Sequence, residues 1–425
     1  MRTTFLLTIF FISLNTCLFS QNGASSDALK VYLDCSWFCD MDFVRREVDY
    51  VDYVRDQFLA NVYVLATEQS TGGNGREIKL MFQGQGAFQG VQDTLIFYRT
   101  VNDSEDEFRQ RLVRYLSAGL MPYLARTSRF EHVVITYEKP EGTRGEDQSS
   151  NTAEADDPWN FWVFRTSISG YMNGDNIYRS RSFYGELEAS RITEKWKHYA
   201  SFSGNASNDI FEFQDDNGEM LRFENPNHSF NAHIYTVKSL TDHWSAGAEI
   251  KAFRSTFGNY NYAAKARTAV EYNVFPYQQS NQRRLAFQYF IGTQYNDYLE
   301  TTIYERDREL LFEQEVNAGL TLVQKWGDIY ASLSWENYLH NFKFNSLDGY
   351  IETEVRLFKG FSFNVGAGAS IIHNQLNIQK GDVSESDVLI RRRQLETSFD
   401  YWMHFGVSYT FGSVYNNVVN PRFGD

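Results

Sequence analysis

From residue 158 to residue 412 apolar and polar residues alternate with a period of two, in segments of roughly 10–16 residues. The last segment is the clearest. Phe399, Tyr401, Met403, Phe405, Val407, Tyr409 and Phe411 alternate with Asp400, Trp402, His404, Gly406, Ser408 and Thr410. The same alternation runs through 285–292, 351–357 and 361–371. The polar face is often charged or glycine, and the apolar face often ends in an aromatic. Strands that turn one face to lipid and the other to a polar lumen carry this signature.

The joints between segments fall into two kinds. Those at 193–196, 240–243, 325–328 and 357–360 are tight, and that at 276–282 is nearly so. Longer or more polar connections lie near 206–224, 299–309 and 374–395, with shorter ones near 173–176, 257–260 and 342–346. These eleven joints imply about twelve strands. An even count leaves both ends of the sheet on one side. The spacing therefore predicts an all-β transmembrane antiparallel barrel over 158–412.

Residues 28–137 follow a different pattern and read as an α+β domain. Strands are expected at 29–34, 61–67, 77–82 and 93–98, with Gly-containing turns at 71–75 and 86–90. A short helix is expected at 41–48. A long helix follows Asn102, Asp103 and Ser104, any of which can cap it, with acids at 105–107 in its first turn. Phe108, Leu112, Tyr115, Leu116, Leu120 and Leu124 lie near one helical stripe. A strand at 130–136 completes the expected order β-α-β-β-β-α-β. Residues 138–157 are acidic and polar, and cannot bury enough apolar surface to order themselves. They read as a linker that lets the flanking parts move.

The first 20 residues read as an export signal: Arg2, a short apolar run at 5–14, then small and polar residues. Cleavage is expected near Ser20, and a lipid-attachment site at Cys17 is the rival reading. Cys35 and Cys39 remain. Export places them in an oxidising compartment, where a local disulfide can form. Free thiols are the other reading, and a metal site lacks further Cys or His nearby.

Composition narrows the rest. The 425 residues carry 40 Lys+Arg against 54 Asp+Glu, a formal charge of −14. That balance disfavours a nucleic-acid binder, which needs a basic face. Aromatics make up 16% and there are only 6 Pro, which disfavours general disorder. Past residue 20 no apolar run reaches the ~18 residues of a spanning helix.

The order of elements in 28–137 resembles the N-terminal domain of TolB and of the curli-export lipoprotein. That resemblance implies a periplasmic interaction domain, with a periplasmic protein as its partner. The chain as a whole resembles a group of exported proteins that join a small periplasmic α/β domain to an outer-membrane barrel. The residues carrying it are 31–35 (Val-Tyr-Leu-Asp-Cys), 42–47 (Asp-Phe-Val-Arg-Arg-Glu), 53–56 (Tyr-Val-Arg-Asp) and 416–422 (Asn-Asn-Val-Val-Asn-Pro-Arg). It implies an outer-membrane location with lipid around the barrel, and no particular activity. Residues 413–425 continue past the last strand. They are expected to fold back into the lumen or to bind a periplasmic partner.

By alternation the lumen face carries Arg165, Glu186, Glu188, Glu249, Lys251, Lys265, Arg267, Glu271, Glu352, Glu354, Arg356, Asp400 and His404. Both signs are present, which fits a salt-bridged interior or a polar channel. No Gly-x-Ser-x-Gly elbow and no His-Glu-x-x-His occurs. No catalytic residue, metal or cofactor is expected. The leading expectation is a non-enzymatic outer-membrane barrel, coupled to a periplasmic interaction domain, that either engages a periplasmic partner or passes small polar solutes. An outer-membrane hydrolase of lipid or peptide and a structural protein with a closed lumen are the alternatives.

Overall fold

The computed structural model describes residues 28–35, 38–71, 75–136, 158–214, 218–381 and 394–413, together with 415, 417, 419, 420 and 422. The export signal and the linker at 138–157 lie outside the described residues.

The N-terminal part builds one sheet from β1 (Lys30–Cys35), β2 (Asp52–Tyr53), β3 (Val62–Ser70), β4 (Arg76–Gly84) and β5 (Gln92–Arg99). The spatial order is β2-β1-β3-β4-β5. β1 runs parallel to β2 and β3, whereas β3, β4 and β5 are antiparallel neighbours. Helices α1 (Met41–Glu47) and α2 (Glu105–Leu124) cover one face. Ser104 caps α2: its hydroxyl accepts from the Glu107 N–H, and Glu107 accepts from the Ser104 N–H. Phe108, Leu112, Leu116, Leu120 and Leu124 are buried against Val31, Val62, Val64, Ile78, Leu80 and Phe82. Alternation along β3 sends Val62, Val64 and Ala66 into this core, which leaves Tyr63, Leu65 and Thr67 on the other face.

Two expectations for this part are corrected. Residues 130–136 form no strand. A 3₁₀ turn spans Ser128–His132, and the chain then runs unpaired with Val134 and Ile135 exposed. Arg129 donates to the Tyr50 carbonyl, holding the segment beside an edge that β2 already occupies. The observed order is therefore β-α-β-β-β-β-α, which departs from the TolB-like arrangement.

The second part is a twelve-stranded antiparallel up-and-down sheet curled into a barrel. Its first six strands are β6 (Trp162–Gly174), β7 (Tyr178–Ile192), β8 (Trp196–Gln214), β9 (Met220–Ser239), β10 (Trp244–Ser255) and β11 (Tyr260–Asn273). The rest are β12 (Arg283–Tyr298), β13 (Arg308–Gln324), β14 (Gly327–Tyr338), β15 (Asn341–Phe358), β16 (Phe361–Ile372) and β17 (Phe399–Tyr409). Every strand pairs with its sequence neighbour, and among the described residues no ladder joins β6 to β17.

Two joints differ from the sequence reading. The stretch 206–224 is mostly strand: β8 runs to Gln214 and β9 begins at Met220. Its polar residues mark where the two strands leave the apolar zone, and Arg179, Glu212, Arg222 and Glu224 pair there on the outer face. The joint placed at 342–346 falls earlier, between Tyr338 and Asn341.

Candidate functional site at the domain–barrel junction

The ladder register fixes which side chains share a face, because neighbours directly opposite one another point the same way. Arg165 lies opposite Glu188, Glu249 opposite Arg267, and Lys251 opposite Lys265. Glu352 lies opposite Gly366, which in turn lies opposite His404. Followed from strand to strand, the register puts all thirteen sequence-identified residues on one face, the concave one.

The structure joins many of them. Arg267, on β11, pairs with Glu249 and reaches Glu315 on β13 at 2.5 Å. Lys265 Nζ lies 2.7 Å from Glu313 and 3.4 Å from Glu336, bridging β11 to β14 over two intervening strands. That reach is possible only because the sheet curls. His233 and Lys251 complete this brace around Glu249 at 3.1 and 3.5 Å. Arg267 also lies over the Phe290 ring, 4.5 Å from its centroid. Gly292 makes room for it: a Cβ there would stand 2.7 Å from Arg267 Cα and 2.1 Å from the Ala266 carbonyl oxygen.

Elsewhere the partners are local. Arg165 pairs with Glu186 at 3.2 Å. Glu271 binds Arg284 at 2.9 Å and accepts from the Tyr277 hydroxyl at 2.7 Å. Glu352 accepts from the Tyr350 hydroxyl. His404 stacks on Trp402, with ring centroids 5.7 Å apart, and lies flat over Gly366, where a Cβ would come within 2.1 Å of the imidazole. Asp400 shares the face of His404, with Trp402 between them, and lies opposite Ser370.

Arg356 has a different partner. Its guanidinium grips Asp34, on β1 of the N-terminal part, through two nitrogens, one contact being 2.8 Å. The Tyr63 hydroxyl donates to the same carboxylate at 2.5 Å. Tyr32 and Tyr63 stack with 5.8 Å between centroids, Arg356 lies 5.8 Å from the Tyr32 ring, and Lys325 lies 5.0 Å from the Tyr63 ring. Burial, with the Asp34 charge adding to it, pushes the Tyr32 hydroxyl up to about 12. The same two causes raise Tyr63. The open face of the N-terminal sheet thus sits on the turns that join β11 to β12, β13 to β14 and β15 to β16. Gln282 reaches Met81, and Gln69 reaches Ser280 at 3.3 Å.

The tail adds a second attachment. Tyr415 forms an antiparallel bridge with Val54, next to β2. Asn417 accepts from the Tyr53 N–H at 2.5 Å and donates to Asp52 at 3.0 Å. Arg55 donates to the Gly412 carbonyl at 2.8 Å. The described tail residues therefore contact the chain's own N-terminal sheet, and the linker spans two parts that are docked on each other.

A cavity of about 1040 Å³ lies between the two parts. β1 and β3 supply Asp34, Cys35, Thr67 and Glu68, and the barrel supplies Arg284, Asp328, Tyr330, Glu352, Glu354, Arg356 and His404. Cys35 and Cys39 are joined by a disulfide, which closes the chain just after β1 at the rim of this cavity. At the barrel's other end the connection from β16 to β17 reaches the β10–β11 and β12–β13 connections. Asn377 donates to the Gly258 carbonyl and the Ile303 N–H to the Ile378 carbonyl, both at 2.9 Å.

Sequence reasoning missed Asp34, Glu313, Glu315, Glu336, Asp328 and Thr67. Glu313 and Glu315 carried a usable signal, since Asn317, Gly319 and Thr321 continue their face between Val316, Ala318, Leu320 and Leu322. Asp34 carried none, because its partner is 322 residues away.

No protein-family model matches the chain, and no curated protein matches it. Among solved structures it is similar to the NanC porin, at 8% identity and a TM-score of 0.28, over 58% of this chain and 99% of that one. It is also similar to the translocator domain of the autotransporter NalP from Neisseria meningitidis, at 11% identity and a TM-score of 0.22, over 59% of this chain and 87% of that one.

Proposed function

We propose that the chain is an outer-membrane barrel, closed at rest, whose N-terminal domain acts as a periplasmic stopper for a polar passage. The observation that carries this reading is the grip of Arg356 on Asp34, with the sheet face of the domain seated on the barrel's inner turns. The outer face supplies the membrane contact: Ile168, Met403, Phe405 and Val407 are all exposed there. A sheet that crosses lipid satisfies its backbone only within the sheet, and short turns mark the periplasmic side of such barrels. A stopper held by a half-buried ion pair, a few polar contacts and a short tail can be released by a partner that binds the domain.

Single-channel recording in planar bilayers tests this. The wild-type chain is expected to conduct rarely, and Asp34→Ala to raise the open fraction at least tenfold. Silence in both proteins across the voltage range would favour a closed-lumen structural protein, the reading to which the Glu249–Arg267–Glu315 brace otherwise lends weight.

A further inference from the structure

We infer that the junction cavity is a binding site for a small organic cation carrying several N–H donors, such as a linear di- or triamine. The cavity walls bear five carboxylates and two guanidinium groups. Both guanidinium groups are already held, Arg356 by Asp34 and Arg284 by Glu271. Glu68 is held by Arg76 at 2.6 Å. That leaves Asp328, Glu352 and Glu354 on the neighbouring strands β14 and β15, with Asp328 directly opposite Glu354 and none of the three in an ion pair with either guanidinium.

Two further atoms point the same way. Thr67, buried on the domain side of the cavity, has a hydroxyl with no hydrogen-bond partner among the described residues. Asn281, on the barrel side, has a buried carbonyl oxygen in the same condition. A buried polar atom without a partner is costly, so a site that presents such atoms beside a cavity is built to have them filled. The Asn281 oxygen can only accept, and the Thr67 hydroxyl can accept as well as donate. A ligand that brings positive charge and N–H groups together suits both. Aromatic rings in reach favour the same chemistry, since Tyr330 and His404 line the cavity and a cation over a ring face is attracted to it.

A bare metal ion fits less well. Among the described residues no group of three His, Cys, Asp or Glu is close enough to hold one. The carboxylates are spread along a cavity wall, as an extended cation requires. This inference stands apart from the stopper reading, because a ligand could occupy the cavity whether or not the barrel conducts.

Isothermal titration of the full-length protein in detergent micelles, with putrescine and spermidine as probes, tests it. Saturable one-to-one binding is expected, with glutarate giving none. Glu354→Gln should weaken binding at least tenfold and Thr67→Val about threefold, while Glu188→Gln, outside the cavity, leaves it unchanged. Asp328→Asn serves if Glu354→Gln fails to fold. No saturable binding would overturn the proposal. So would equal competition by magnesium at matched ionic strength, or an equal loss in Glu188→Gln, since either would mean diffuse attraction to an acidic interior.

Discussion

Replacing Asp34 by Asn should loosen the N-terminal domain from the barrel without unfolding either. The side chains of Asp34 and Arg356 are 13% and 27% exposed, so the pair is mostly out of water. Truncating one member of a buried, hydrogen-bonded charge pair costs about 2–5 kcal/mol, largely because the other charge is left unpaired. The exposed quarter of Arg356 keeps some hydration and its contact with the Tyr32 ring persists. The lower half of the range, about 2–3 kcal/mol, is therefore expected. At 1.36 kcal/mol per decade, the ratio of docked to undocked domain should fall roughly 30- to 150-fold.

Hydrogen exchange of the full chain in detergent reads this directly, at amides of β3 and of the turn before β12. Asp42→Asn is the control, since Asp42 is 58% exposed and its pair with Arg45, one helical turn on, contributes a few tenths of a kcal/mol. Arg356→Lys should give an intermediate loss, because the ammonium keeps the charge but not the two-pronged geometry. Asp34→Asn combined with Arg356→Gln should cost less than the two changes summed. If Asp34→Asn lowered protection no more than Asp42→Asn, the ion pair would not be what seats the domain, and the stopper reading would fail with it.

Three further outcomes are expected. Gly292→Ala should lower barrel stability in lipid by about 1–3 kcal/mol, the usual cost of overpacking, by forcing Arg267 off its place, as read by urea unfolding in vesicles. Phe405→Arg should cost roughly 2–4 kcal/mol as a charge facing hydrocarbon, and His404→Arg much less; the reverse order in folding assays would put the register off by one residue. Alkali should destabilise the domain. Because burial raises Tyr32 from 10.0 to about 12, its contribution is intact below pH 10 and is lost as pH rises through about 12. Tyr32→Phe should flatten that decline in denaturant titrations of the full chain.

What was legible in the sequence is what the pleat enforces locally. Side chains alternate along a strand, so a run such as 399–411 fixes two faces without any knowledge of its neighbours. The same holds for the cap of α2, whose signal, Ser104 three residues before Glu107, is local. Misplaced features were those where local pattern and three-dimensional setting part company. Residues 206–224 turn charged on their outer face, at Glu212, Arg222 and Glu224, while Phe211, Phe213, Leu221 and Phe223 keep the other face apolar, so the strands run on where the composition reads as a polar connection. Residues 130–136 have strand composition, but the edge they lie beside is already taken by β2. The Asp34–Arg356 grip lay outside any local reading, since no periodicity encodes a contact between the first strand of the chain and the fifteenth.

The tail gives the clearest link between the two parts. Gly412 and Tyr415 follow directly on β17, and their partners, Arg55 and Val54, adjoin β2. β2 has only two residues and would otherwise be a bare sheet edge. Asn417 covers that edge by bonding the backbone of Tyr53 and the side chain of Asp52 together. The contact can form only once β17 has brought the tail to the same side as the N-terminal sheet. β17 is also the last strand of the meander, and it is held through β16 alone among the described ladders. Docking of the domain and placement of the last strand are therefore coupled: each restricts the freedom of the segment that the other needs. Asn417→Ala, which removes two hydrogen bonds from the tail and none from the barrel ladder, should accordingly raise exchange both in β2 and along β17. A rise confined to β2 would mean that the tail follows the barrel without helping to hold its final strand.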